Sequence, residues 1–175
     1  MNRSLAPVVF ACAAALPVAS QAGNISLTIE GTPGSIEVQS FSFGAKQTGS
    51  FGSGGGGGAG KAEIGQFNFS AVESAASPAM LENLVRGRHI QSARLGILDA
   101  DTGAPRSEWT FTDVLVSSMS VANGEPAPKA KQPNTFLAPA TTFGLTFAKF
   151  CYRIFAVNGS VARETCWDTV ANTSS

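Results

Sequence analysis

Ile36-Glu37-Val38-Gln39-Ser40-Phe41-Ser42-Phe43 alternates apolar and polar residues, as a strand buried on one face does, but its apolar phase slips by one residue between Val38 and Phe41. A slip inside one strand is what a β-bulge produces, and bulges bend a sheet toward closure. The same step recurs where Ile64 is followed by Phe67 and Phe69. Period-two stretches continue on either side, at Ile25, Leu27 and Ile29, at Ala93, Leu95 and Ile97, from Trp109 to Val116 and from Phe143 to Phe155. Glu30-Gly31-Thr32-Pro33-Gly34 supplies turn residues after the first. One helix is predicted: Ser77 caps it, Pro78 takes its first position, Met80, Leu81, Leu84 and Val85 form its stripe, and Gly87 ends it. The Pro-, Lys- and Ala-rich stretch from Ala122 to Pro133 has no periodicity and predicts a surface loop. The expected fold class is mostly β, either a pair of sheets or a closed or nearly closed β-barrel of two sheets, with one short side helix packed outside.

Composition narrows the partners. The 175 residues carry 12 Lys plus Arg against 12 Asp plus Glu, a net charge of zero, and only 14% are charged. An average soluble domain has roughly 25%. A neutral chain without basic blocks has no electrostatic grip on phosphates, so nucleic acid is not an expected partner. No apolar segment is long enough to span a bilayer, and stable membrane insertion is not expected.

The first residues read as a secretory leader. Arg3 is followed by an apolar stretch from Leu5 to Val18 and by Ser20-Gln21-Ala22, with cleavage expected between Ala22 and Gly23. A buried N-terminal strand or helix is the competing reading. The expected organisation is a signal peptide over residues 1–22, a barrel domain over 23–157, and a C-terminal hairpin extension and tail over 158–175. The expected location is secreted or periplasmic.

Export changes how the cysteines read, since Cys12 leaves with the leader and Cys151 and Cys166 remain in an oxidising compartment. Asn158-Gly159 is a strong signal for a two-residue hairpin turn between strand-like flanks. In that register Cys151 faces Cys166, Arg153 faces Glu164 and Phe150 faces Trp167, which predicts a disulfide, an ion pair and an aromatic pair together. A hydrogen-bonded facing pair, with Cα atoms about 5.5 Å apart, fits a disulfide. Two reduced thiols in a cytoplasmic protein are the alternative.

The candidates for chemistry are few. Gly55 to Lys61 matches the first seven positions of a phosphate-binding loop, but Ala62 stands where Ser or Thr should hold magnesium, and a strand follows where a helix should. The run Gly54, Gly55, Gly56, Gly57, Gly58, Ala59, Gly60 and Lys61 therefore reads as a loop between strands. His89 is the single histidine, and its place past the helix end suits the last helical carbonyls. Asp99 and Asp101, in Leu98-Asp-Ala-Asp-Thr-Gly103, read as an ordinary hairpin turn in preference to a calcium loop or a carboxylate pair. No catalytic, cofactor-binding or metal-binding constellation is expected.

The succession Gly54 to Lys61, Ile64-Gly-Gln-Phe67-Asn-Phe69-Ser70, Ala76-Ser77-Pro78, Gly87-Arg88-His89-Ile90, Phe111-Thr-Asp-Val114-Leu-Val116-Ser117-Ser118 and Leu145-Thr-Phe147-Ala148-Lys149 resembles the haemolysin-coregulated (Hcp) proteins of type VI secretion. The resemblance covers roughly Ser26 to Phe155. It implies a compact barrel with a side helix, self-association into a ring, expected to be a hexamer, stacking of rings into the inner tube of a contractile machine, and small effector proteins carried in the lumen. It implies no catalysis, and it assigns the glycine-rich stretch to loops that contact neighbouring subunits. Three features depart from the family: the leader, the hairpin after Val157, and the prolines Pro126, Pro128 and Pro133. They leave an alternative, an exported monomer that uses the fold as a binding module outside the secretion machine.

Overall fold

The computed structural model describes residues 24–50, 58–122 and 140–175. The expected leader with its Ala22-Gly23 junction, glycines Gly54 to Gly57, and nearly all of the Ala122 to Pro133 stretch lie outside the described residues. The elements in chain order are β1 (Ile25–Ile29), β2 (Ser35–Ser42), β3 (Ala45–Ser50), β4 (Gly58–Ile64), β5 (Phe67–Val72), α1 (Ala76–Arg86), β6 (Ile90–Leu98), β7 (Pro105–Ala122), β8 (Ala140–Phe155), β9 (Val161–Asp168) and β10 (Thr173–Ser174).

Strands run β8-β5-β2-β1-β6-β7 and return to β8, so six of them close into an antiparallel barrel. Closure depends on the length of β8. Ala140 to Leu145 pair with β5 on one side, and Lys149 to Phe155 pair with β9 on that same side, while β7 runs along the other. Strands β9 and β10 therefore continue the sheet outward from β8 beyond the closed ring. Thr169 fills the step between β5 and β9, its N–H donating to Ala148 O at 2.8 Å and its hydroxyl to Phe147 O at 3.0 Å.

Alternation fills the interior. Leu27, Ile29, Ile36, Val38, Phe67, Phe69, Leu95, Phe111, Val114, Phe143 and Leu145 form one buried cluster, joined by Ala76 and Met80 of the helix. The predicted bulge in β2 is present, as a register shift between Val38 and Ser40 against β5. The second slip has a different cause. Ile64 ends β4 and Phe67 begins β5, so it is a junction between strands, where the chain re-enters the barrel from a separate two-stranded sheet.

A further phase step crosses three strands at one level. Ile90 and Ala93 in β6 are buried, as are Phe111 and Val114 in β7, and the core contacts of β8 step from Phe147 to Phe150. The register is the same on both sides of this level, with Ile90 facing Val114 and Val114 facing Phe147, although both ladders skip Asp113. Asp113 marks this level with a left-handed φ of 53°. A non-glycine residue there is uncommon, and it re-aims the side chains on either side of it.

The helix starts two residues earlier than its composition suggests, which makes Pro78 its third residue. Ala75 is the N-cap, without a side-chain bond, and Ser77 lies inside the helix, where its Oγ accepts the Ser74 N–H at 3.1 Å. Met80 is buried and Leu84 packs on the core, but Leu81 and Val85 face solvent. The apolar stripe is thus half as wide as expected, because α1 meets the barrel along a single line against β7. Gly87 ends it in a left-handed conformation as predicted, with Gly87 N–H on Leu84 O and Arg88 N–H on Asn83 O.

Candidate functional site: the β3–β4 arm and the β8–β9 ribbon

Among the described residues, strands β3 and β4 pair only with each other. Their neck is drawn tight where they leave the barrel: Gly65 N–H donates to Gly44 O at 2.8 Å, and a Cβ on Gly65 would sit 3.0 Å from that oxygen. Lys46 and Glu63 face each other just beyond, Nζ to carboxylate 2.8 Å, both exposed. Contrary to the expected loop, Gly58, Ala59, Gly60 and Lys61 are the first residues of β4, paired with β3 through Ser50–Gly58 and Gly49–Ala59. A phosphate-binding loop needs a helix directly behind its lysine, and the first helical residue after Lys61 is Ala76. An isolated two-stranded ribbon is marginally stable in water, so such an arm is completed by a surface that covers it.

At the other side, three clips fasten β9 to β8 along one face. Lys149 Nζ lies 3.2 Å from Asp168, Cys151 is disulfide-bonded to Cys166, and Arg153 Nη2 lies 2.6 Å from Glu164. The last two are facing pairs that the Asn158-Gly159 register predicts, together with Phe150 opposite Trp167, and Lys149–Asp168 continues the same register. The turn itself differs. Gly159 N–H donates to Ala156 O at 2.8 Å, Ala156 N–H donates to Ser160 O at 2.8 Å, and Gly159 has φ 80° while Asn158 stays out of the left-handed region. This is a three-residue loop, a type I turn closed by a left-handed glycine, and a bulge between Ile154 and Phe155 restores the register. The cysteines also sit in the narrower kind of pair, with Cα atoms 4.0 Å apart, because Cys166 O points away from β8 to accept the Ser175 N–H.

Arg153 belongs to a longer ladder. Its Nη1 is 3.1 Å from Glu108 Oε1, and Arg94 Nε donates to Glu108 Oε2 at 2.6 Å, so Arg94, Glu108, Arg153 and Glu164 alternate in charge across β6, β7, β8 and β9. Glu108 is buried beneath the two guanidinium groups. The Arg153–Glu164 link is the one that the hairpin register predicts; nothing in the local sequence marks the rest, since Arg94, Glu108 and Arg153 become neighbours only through the barrel's pairing.

The remaining candidates have structural partners. His89 turns away from the helix carbonyls, already bonded by Gly87 and Arg88, and its Nδ1 lies 2.6 Å from Asp113 Oδ1 on an exposed corner. In the same groove the Ser92 hydroxyl donates to Glu30 Oε2 at 3.0 Å, which leaves it turned to a carboxylate and not to the imidazole. Asp99 Oδ1 accepts the N–H groups of Thr102 and Asp101 and the Thr102 hydroxyl, each at 3.1 Å, and Arg106 lies 3.2 Å from Oδ2. Those bonds, the Thr102 amide first, hold its carboxyl below the usual range. They make the hairpin turn that the sequence predicts, with Gly103 at φ 68°. Cys151, Glu164 and Cys166 bring three potential ligand atoms together, but the two sulfurs are bound to each other.

The sequence profile of a family described as "Type VI secretion system effector, Hcp" matches residues 22–153. The chain belongs to the Hcp family. Solved structures share its fold. "Structure of a type six secretion system protein" superposes with TM-score 0.71 at 18% identity, over 88% of this chain and 100% of that one. Hcp1 from Salmonella typhimurium gives 0.68 at 24% identity over 86% and 97%, and Hcp2 from the same organism 0.60 at 18% over 85% and 98%. A search of curated protein sequences finds no match. Within the Hcp domain lie the barrel, the helix and the β3–β4 arm, whereas β9 and β10 fall beyond the matched residues. Hcp proteins are structural parts of the type VI machine, and they form hexameric rings.

Proposed function

We propose that this protein is a non-enzymatic structural subunit whose copies close into a six-membered ring and stack as the inner tube of a type VI secretion machine. The β3–β4 arm carries this reading. It is a ribbon that its own barrel does not complete, on a barrel of the Hcp family, and a neighbouring copy is the surface that would cover it. The low charge of the chain supports repeated self-contact. The lumen of such a ring would hold small effector proteins. Residues 1–22 act as an export leader, supported by the start of the family match at residue 22, and deliver the mature chain to the periplasm or the outside.

Negative-stain images of the chain beginning at Gly23 test the assembly. End views with six-fold symmetry are expected, and a variant with residues 45–64 replaced by a short turn should give single barrels. Single-barrel particles from the intact chain would overturn the proposal. N-terminal sequencing of exported protein tests the leader, with Gly23 expected as the first residue.

A further inference from the structure

We infer that the Cys151–Cys166 bond is a thiol-operated latch that holds β9 over an edge of the barrel, closed in an oxidising compartment and open in a reducing one. The barrel's ring of pairings, β8-β5-β2-β1-β6-β7, is complete without β9, which among the described strands pairs only with β8 and β10. Its release breaks no pairing inside the ring. What it uncovers is the side of β8 that β5 leaves free past Leu145, the stretch Lys149 to Phe155. There Phe150, Tyr152 and Ile154 direct their backbone groups toward β9, since the intervening Cys151 sits in the non-hydrogen-bonded pair.

The open state is chemically tolerable. Arg153 gives up Glu164 but keeps Glu108, its barrel partner at 3.1 Å, so no guanidinium is stranded. The other two clips are ion pairs with one or both partners solvated, which hold weakly by themselves. The disulfide is thus the strong fastening, and both cysteines are half-buried and within reach of a small thiol. A dithiol opens it in two exchanges. One thiolate attacks a sulfur and forms a mixed disulfide, releasing the other cysteine as a thiolate that takes up a proton. The second thiol then displaces the remaining cysteine, which is protonated in turn. The reductant leaves as its disulfide, and two electrons and two protons have passed to Cys151 and Cys166.

Amide hydrogen exchange on the oxidised protein, on protein treated with dithiothreitol, and on the Cys151→Ser/Cys166→Ser variant tests the latch. The bond closes a separation of 15 residues. Its loss should raise exchange about a hundredfold in β9 and at Phe150, Tyr152 and Ile154, on the loop-closure scale for that length, with β1, β2, β5 and β6 unchanged. Unchanged protection of β9 in the variant would overturn the latch. So would an equal loss throughout the barrel, which would make the bond a staple of the whole fold. If alkylation and mass measurement find the bond intact after dithiothreitol acts on folded protein, thiol operation is overturned.

Discussion

Arg153 faces Glu108 across β7 and β8, Nη1 to Oε1 3.1 Å, and this contact joins the C-terminal ribbon's ion pair to the barrel's own. Glu108 is the only acid between two guanidinium groups in the ladder and is itself buried. Glu108→Ala leaves Arg94 and Arg153 side by side without it. Because both arginines retain solvent contact, the loss is below that of a fully buried pair, about 1–3 kcal/mol. Urea unfolding should show it, with Glu108→Gln recovering part.

Asp113 predicts a contrast between two substitutions. Its φ of 53° is strained for a β-branched side chain, so Asp113→Val should cost about 1–3 kcal/mol, including the lost His89 pair. Glycine adopts that conformation freely, and Asp113→Gly should stay within about 1 kcal/mol of the parent. Thermal midpoints of the two variants check the order.

Gly144 lies opposite Ser118 on β7 and Asn68 on β5. A Cβ there would run into Ser118 Oγ and come within 3.1 Å of the side-chain oxygens of Asn68 and Gln66. Gly144→Ala should therefore destabilise by about 1–3 kcal/mol. Adding Ser118→Ala should return part of the loss in denaturant melts, which separates this clash from a general intolerance of side chains in β8.

Asp168 predicts an acid limb to the ribbon's stability. The Ala171 N–H at 2.8 Å, the Lys149 ammonium and the Val170 N–H favour its ionised form and hold its carboxyl below the usual value. A group depressed on folding contributes stability above the unfolded carboxylate value, about 3.9, and loses it as pH falls through the lower folded value. Asp168→Asn should be less stable than the parent at pH 7 and equal to it once the parent carboxylate is protonated. Unfolding curves at neutral pH and below pH 3 compare them.

Much of this architecture is legible in single residues. The slip from Val38 to Phe41 announces the bulge, and the facing numbers of Cys151 and Cys166 announce the ribbon pairing. Turn chemistry is less readable: Asn158-Gly159 suits both a two-residue and a three-residue loop, and the bulge between Ile154 and Phe155 absorbs the difference. Ile64 to Phe67 shows why a phase slip alone is ambiguous, since a bulge and a strand junction shift the pattern alike. Leu81 and Val85 continue the helical stripe, yet their exposure follows from how narrowly α1 touches β7. The contacts of Glu108 with Arg94 and Arg153 and the His89–Asp113 pair join residues distant in sequence and leave no local signal, although the spacing of Phe111 and Val114 does record the twist at Asp113.

The mass in solution of the chain beginning at Gly23, read by light scattering over a wide concentration range, bears most directly on the ring. A particle of six copies is predicted, as in the hexameric rings of the family. A single-copy mass at the highest concentration reached would contradict it.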